Sequence, residues 1–575
     1  MLKYFLLSFG LVTCCTAAFG QVAYRPVALT GDVAPVLPPL TTYYLFGRES
    51  YRLNDAGKVL FDGTLTNTGP ISPPRTGLFS EAGTARPSLI ASEGSQALGV
   101  PFGVTFTRNF LGLSTAPFNE SGMTAFRANL EGNGAGTNSN TAICIGGVGV
   151  PLTAIAVEGS QAAGLPLGVT HSTLSLAWLG ENGQVAFQSS LSGTGVGSSN
   201  NSAVFLYESG VLGSIAREGD QAPGLSVGVK YASLDDVLQM NIAGSVAFCT
   251  SLTGTGVDLT NRRSIFSSAG GQGLRSILRT GDQVADLPGG VLYEEFASFT
   301  LKMNNAGQVL VWATLTGDGV TEKNDNAVVR QGNDGVFRVA VREGDQVNGM
   351  ADGIVFAGLG VPQINDQGQL ALIARIEGSG VGPTNEQLVC VNRQSQLGFE
   401  PVARTGDHAV GMPEAFTYAV FQFDDDAFQF NNQGQVAFFA TLSDGIVESE
   451  AIYATTQHGI LYLVAAEGVA FDVNPDPLVD DYRTVMNLVS YFDLNNYGEL
   501  AFHAAFTDGS SGLFSAQLYE TCPADTNHDG ILSPADFTAW IAAFNALAPE
   551  CDQNDDGLCS PGDFTSWIAN FNAGC

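Results

Sequence analysis

Asn431-Asn432-Gln433-Gly434-Gln435-Val436-Ala437-Phe438 opens with an Asn at the first turn position and places a Gly three residues later. That arrangement favours a tight type I turn, with the Gly free to take positive φ. Phe428-Gln429-Phe430 alternates like a strand before the turn, and Gln435 to Phe438 resumes the alternation after it. The stretch predicts a β-hairpin, and it recurs. The matching glycines are Gly57, Gly122, Gly183, Gly244, Gly307, Gly368, Gly434 and Gly498, spaced by 65, 61, 61, 63, 61, 66 and 64 residues. Asn stands three residues before every one of them except Gly183, where the residue is Gly180. A self-similar period of this length identifies a repeat architecture ahead of any local reading.

Each repeat carries a second marker upstream of its turn. An apolar strand ends in Glu or Thr, then Gly, then usually Asp or Ser, in boxes that begin at Thr30, Glu93, Glu158, Glu218, Thr280, Glu343, Thr405 and Glu467. The carboxylates are expected to cap their own turns through side-chain to backbone bonds, in preference to forming a cation or sugar ring. A glycine-rich loop follows the hairpin, as in Leu252-Thr253-Gly254-Thr255-Gly256-Val257, and then a further apolar strand such as residues 202–207. Four short strands in about 62 residues make one propeller blade, which buries its faces only against neighbours. The chain begins on a box strand (residues 23–29) and ends its repeats on the preceding type of strand (residues 512–518). The N-terminal strand can therefore complete the last blade and leave no exposed edge. The predicted fold is mainly β, an eight-bladed β-propeller over residues 21–519; an open array or another blade count is the competing architecture.

The chain has 575 residues, 45% of them hydrophobic, with 70 glycines and a net charge of −32. This length buries a large core, and the charge disfavours nucleic acid and anionic membrane surfaces as partners. With 5 His and 24 Lys+Arg, the usual catalytic side chains are scarce, and neither HExxH nor a P-loop is present. Cys144, Cys249 and Cys390 lie in apolar strands of different repeats and read as buried free thiols, while His171, His408, His458 and His503 share no metal-ligand spacing. Lys3, an apolar run over residues 4–12 and the small residues Ala18 and Gly20 predict a signal peptide at residues 1–20. That run is too short to span a bilayer, and no later stretch is long enough. Leu11-Val12-Thr13-Cys14 also has a faint likeness to a lipoprotein cleavage site.

Composition changes at residues 520–575, which hold nine acidic residues and no Lys or Arg. Two segments match, 27 residues apart: Asp525-Thr526-Asn527-His528-Asp529-Gly530-Ile531-Leu532-Ser533-Pro534-Ala535-Asp536 and the run from Asp552 to Asp563. In the first, Asp525, Asn527 and Asp529 offer oxygens at loop positions 1, 3 and 5, Ile531 its carbonyl at 7, Ser533 stands at 9 and Asp536 closes at 12. Asp552, Asn554, Asp556, Leu558, Ser560 and Asp563 repeat that set. Two calcium ions are the expected cofactors. A helix is predicted after each loop, with Ser533 and Ser560 as N-caps and Pro534 and Pro561 in the first helical position. Phe537, Trp540, Ile541 and Phe544 recur as Phe564, Trp567, Ile568 and Phe571, a stripe expected to bury against its counterpart. Cys522, Cys551, Cys559 and Cys575 suggest two disulfides, in any of three pairings.

These duplicated loop-helix units resemble a type I dockerin, with Asp in place of Glu at position 12, and the closing Gly574-Cys575 resembles the variant that anchors exported bacterial proteins. The Asn-x-x-Gly-x-x-Ala-Phe repeats, as in residues 241–248, are similar to a tandem-repeat family found with assorted C-terminal anchors. The dockerin resemblance implies calcium-dependent docking to a cohesin-like or cell-envelope protein, at the surface of a bacterium or secreted from it. A non-catalytic binding or scaffold propeller on such an anchor is the first expectation. An extracellular enzyme acting on polysaccharide is the second, with Asp424-Asp425-Asp426 and residues 472–481 as acidic insertions that break the repeat.

Overall fold

The computed structural model describes residues 21–573 except 36, 68–74, 83–85, 108–116, 133–139, 394–397, 475–478, 520–523, 527–532, 547 and 554–557. The residues expected to form the signal peptide and the lipoprotein-like site lie outside the described residues. The chain divides into two compact units, Tyr24–Ala516 and a second that contains Gln517–Cys575. The first is an eight-bladed β-propeller, and seven of its eight sheets run in chain order from an inner to an outer strand. Blade 3, for instance, is Val169–Leu179, Val185–Gly193, Ser202–Glu208 and Val211–Arg217, all antiparallel. Blade 8 breaks chain order: Tyr482–Leu494, Glu499–Phe506 and Ser511–Tyr519 are completed on the outside by Gln21–Leu29. The Thr30 N–H donates to the Ser511 carbonyl at 2.9 Å, and the Ser511 N–H to the Thr30 hydroxyl at 3.0 Å. Arg25, on the same N-terminal strand, reaches Glu81 at 2.7 Å and the Gly57 carbonyl at 3.0 Å in blade 1.

The Asn-Gly turns end the inner strands, and all eight turn glycines have φ between 68° and 82°. Within each of seven turns the Asn side-chain oxygen accepts the N–H four residues on, as from Gln435 to Asn431 at 2.9 Å. The Asn amide group then faces the next blade. Asn304, Asn365, Asn431 and Asn495 donate to the carbonyls of Asn365, Asn431, Asn495 and Asn54 at 2.8 to 3.1 Å. Asn54 donates to Asn119, Asn119 to Gly180, and Asn241 to Asn305, while the Glu181 N–H meets the Ile242 carbonyl where Gly180 has no side chain to offer. The eight turns thus close a hydrogen-bonded ring. Burial makes its donors and acceptors costly to leave unpaired.

The core lies between blades. One apolar cluster joins Leu60, Leu78 and Ala91 of blade 1 to Phe106, Phe126 and Leu130 of blade 2. Another joins Tyr491, Ala501 and Leu513 of blade 8 to Tyr43, Phe61 and Phe79 of blade 1. The Phe of the Ala-Phe pair stacks on an aromatic of the third strand: Phe187 on Phe205, Phe248 on Phe266 and Phe438 on Tyr453, with centroids 5.5, 6.0 and 5.6 Å apart. Each such ring contributes about 1.5–3 kcal/mol on burial. Cys144, Cys249 and Cys390 are buried free thiols.

The boxes bind backbone. Glu218 accepts the Asn201 N–H, Thr280 the Arg263 N–H and Thr405 the Gln387 N–H, which ties the outer strand to the third strand. Asp32, Asp282 and Asp345 each accept the N–H three residues back and hold the turn. The Gln that follows the box has a role of its own: Gln96, Gln161, Gln221, Gln283 and Gln346 each accept the N–H of the Gly seven residues on. Each thereby closes the loop into the next blade.

Among the described residues two histidines are buried, and both are neutral at physiological pH. Burial lowers His171 and His503 to about 4, and for His503 the Arg48 charge adds to the effect. Asp62, on the second strand of blade 1, moves the other way: burial raises it to about 7, against opposing bonds from Gly47 and Ser50. The residue as a whole is partly exposed, while its Oδ1 is enclosed.

Asn431→Ala leaves the Gln433 and Gln435 N–H groups without partners and the Asn495 carbonyl with the Gly498 N–H alone, and is expected to cost about 1–3 kcal/mol of unfolding free energy, read from the denaturant midpoint. For Asp62, the unfolded chain releases its proton near 3.8 and the folded chain holds it to about 7, so this group lowers stability as pH rises through that window. Asp62→Asn should match the parent at pH 4 and exceed its stability at pH 8, in thermal melts run across that range.

Candidate functional site

The inner strands surround a cavity of about 770 Å³ to which seven of the eight blades contribute residues. These strands do not run straight past it. Their register slips between Phe46 and Tyr51, Leu174 and Ala177, Leu234 and Leu238, and Ala297 and Lys302. A bulge of this kind re-aims side chains and releases them from the repeat. Phe299 lies inside such a bulge and is 59% exposed, and Lys302 closes it.

The cavity wall carries Arg52, Arg127, Lys302 and Asp426, with the rings of Trp178 and Phe299. Three cations to one carboxylate inverts the ratio of the whole chain, where 24 Lys+Arg face 56 Asp+Glu. The Arg52 guanidinium stands 5.4 Å from the centre of the Tyr491 ring. Burial pulls its pKa down, and Tyr491, Asp493 and Asp426 more than restore it. Asp493 is raised by burial, with Arg52 and the Leu53 N–H, 2.7 Å away, opposing that shift. Arg127 comes from the second strand of blade 2 and donates through Nη1 to the Leu174 carbonyl of blade 3 at 2.9 Å. Its Nε is buried without a hydrogen-bonding partner among the described residues.

Of the two acidic insertions, one reaches this cavity. Asp425–Ala427 forms a 3-10 turn that carries Asp426 to the wall, and the Asp425 side chain lies outside the described residues. In the other, Asp472 accepts the N–H groups of Asn474 and Asp481, and Asp481 pairs with Arg483 at 2.7 Å, while residues 475–478 lie outside the described residues. Gly224-Leu225-Ser226-Val227-Gly228 spells the Gly-x-Ser-x-Gly of a nucleophile elbow. It is no elbow: it is the blade 3 to blade 4 loop closed by Gln221, with no strand-turn-helix around it.

In the second unit, α1 (Pro534–Ala546) and α2 (Pro561–Ala573) start where the capping residues put them. Ser533 accepts the Ala535 N–H and Ser560 that of Gly562; in return, the Ser533 and Ser560 N–H groups donate to Asp536 and Asp563, each at 2.7 Å. Both units are capping boxes closed by Asp. The helices exchange contacts about a pseudo-twofold. Trp540 donates through Nε1 to the Cys551 carbonyl, next to Asp552, and Trp567 to the Ala524 carbonyl, next to Asp525. Phe537 packs on Trp567 at 5.1 Å and Trp540 on Phe564 at 5.5 Å. The stripe is covered less fully than its period predicted, because Ile541, Phe564 and Ile568 remain 41%, 40% and 40% exposed. Cys551 and Cys559 form a disulfide, and Cys522 and Cys575 lie outside the described residues.

The predicted calcium ligands are only partly placed. Asp536 and Asp563 are fully buried, Asp525 is 8% exposed, and Ser533, Asp552, Leu558 and Ser560 are also described. Asn527, Asp529, Ile531, Asn554 and Asp556 lie outside the described residues. Among the described residues no group of three or more His, Cys, Asp or Glu side chains converges on one point. Two buried carboxylates in a unit with no Lys or Arg, among hard oxygen donors, are chemically suited to a divalent cation. Among the described residues no helix is long and apolar enough to cross a membrane.

No curated protein matches the chain. Solved structures similar to it include a Mycobacterium tuberculosis puromycin-hydrolyzing peptidase, at TM-score 0.33 and 10% identity over 84% of this chain. The chain spans 61% of that peptidase's length. The β-propeller domain of the Trilobed protease from Pyrococcus furiosus, described as having an open velcro topology, gives 0.34 and 10% over 74% of this chain and 98% of that one. The polysaccharide lyase Uly1 gives 0.33 and 7% over 74% and 94%. The model of a family of unknown function, DUF7453, matches residues 18–354 and 348–520, and the chain belongs to that family.

Proposed function

We propose that this chain is an exported bacterial binding protein, in which the propeller takes its ligand in the central cavity and a dockerin-like module, folded around two calcium ions, tethers it to a cohesin-like or cell-envelope protein. The observation that carries the reading is where the repeat is broken. Turn Asn residues, boxes and loop-closing Gln residues keep their types from blade to blade, and their side chains are engaged by backbone. Two residues before the turn Asn, or before Gly180, the type changes instead, to Arg52, Trp178, Gln239, Lys302, Gln363 and Gln429 in different blades, and these residues line the cavity. Repeated residues serve the repeated fold. Unrepeated polar and aromatic residues around a cavity serve what enters it.

The tether rests on the loops at Asp525 and Asp552, in register 27 residues apart, and on the buried Asp536 and Asp563 that would close each shell. Calcium there would neutralise carboxylates that have no basic side chain nearby in sequence. A second reading has one observation in its favour: Asp426 stands in the cavity, where an enzyme acting on polysaccharide would place an acid or base. Sustained turnover of a polysaccharide by the full chain, abolished in Asp426→Asn, would replace the binding reading with that one.

Calcium titration of the full-length mature chain by calorimetry should show two bound ions. Asp525→Ala and Asp552→Ala should each remove one, and chelator should collapse the near-ultraviolet dichroism of Trp540 and Trp567. A chain that binds no calcium would overturn the tether.

A further inference from the structure

We infer that the ligand of the central cavity is an acidic saccharide, an oligosaccharide bearing carboxylate or sulfate groups; this rests on the cavity being the binding site of the propeller. Three features of the wall point to that chemistry. The first is size. About 770 Å³ falls within the range of small-molecule sites, roughly 300–1,000 Å³, and holds a few linked rings but no folded partner.

The second is charge. A chain of net charge −32 places Arg52, Arg127 and Lys302 around one open cavity, with Asp426 on the wall and Asp493 beside Arg52. Counting both carboxylates, the wall keeps an excess of positive charge in a molecule that is acidic elsewhere. The Nε of Arg127 is a buried donor left over after Nη1 has bound the Leu174 carbonyl. A guanidinium edge meets a planar carboxylate or a sulfate ester equally well.

The third is the rest of the lining. Gln239, Gln363 and Gln429 stand on the inner strands of blades 4, 6 and 7, with Ser175 in the bulge of blade 3. A carboxamide presents a donor and an acceptor side by side, which suits hydroxyls that both donate and accept. Trp178 and Phe299 bring aromatic surface to the lining, which suits the apolar C–H face of a pyranose. Cation, amide and aromatic together match a ligand that is at once charged, hydroxyl-rich and apolar on one face.

The test uses the full chain and three probes of matched length: an oligogalacturonate, a sulfated oligosaccharide and a neutral cello-oligosaccharide, with binding read by calorimetry and by Trp178 fluorescence. Either acidic probe should bind at least about tenfold more tightly than the neutral one and weaken in 0.5 M salt, as exposed charge pairing does. Lys302→Gln and Arg127→Gln should each weaken it by about tenfold. Arg127→Lys, which keeps the charge and loses the fork, covers the case in which Arg127→Gln does not fold. The difference between the two acidic probes separates carboxylate from sulfate as the group recognised. Equal affinity for the neutral probe, affinity untouched by both variants, or no binding of either acidic probe overturns the inference. Because calcium binding is measured separately, loss of the saccharide result alone leaves the tether standing.

Discussion

A propeller of eight sheets needs something that fixes the angle between neighbours, and here it is the buried amide of an Asn in seven of the eight turns, with a backbone bond from Glu181 in the other. The side-chain oxygen folds its own hairpin, and the amide group binds a carbonyl in the next blade. One side chain therefore couples local structure to the circumference. Strand pairing alone would leave each sheet free to slide on an apolar face, since burial of Phe and Val is non-directional. The ring of turns removes that freedom, and the interblade clusters then pack to a fixed spacing.

With the circumference fixed by repeated residues, the inner strands are free to differ. The slips between Leu234 and Leu238 or Ala297 and Lys302 lengthen the inner strand without disturbing the turn below it. Arg127, Lys302, Trp178 and Asp426 reach the cavity from different blades by different local routes. The same division holds in the second unit, where caps and Trp bonds repeat with a 27-residue offset and Ile541 and Ile568 remain partly exposed.

What was legible in the sequence was local. Asn with Gly three residues on specified the turns, the box specified a capped strand end, and the residue types at the two ends of the repeat domain specified that the ring closes on its first strand. Ser533 and Pro534 set the start of α1 within one residue. What was not legible depended on the next blade. The Asn amide partner lies about 61 to 66 residues away, and the Gln after each box looks like any polar loop residue until its loop is folded. Asp426 could not be told from Asp424 within a run of three acids, because a single 3-10 turn decides which one faces the cavity. The incomplete cover of the helix stripe was missed for a related reason: periodicity names a face, and the partner helix decides how much of it is covered.

The outer strand of blade 8 is the first strand of the chain, and its partner is 481 residues distant at the Thr30–Ser511 bond. A contact of that separation cannot form until the whole repeat domain has left the ribosome. Until then the N-terminal strand is an unpaired edge, and so is Ser511–Tyr519 once it is made. Loop closure over such a span is slow and leaves template-like edges exposed meanwhile. The ring therefore behaves as a completeness check on synthesis. A chain cut short before Ser511 keeps every local turn signal yet lacks the strand that Gln21–Leu29 must join. Such a product carries its own open edge, a feature that distinguishes it physically from a finished molecule for any chaperone or protease that surveys exposed strands.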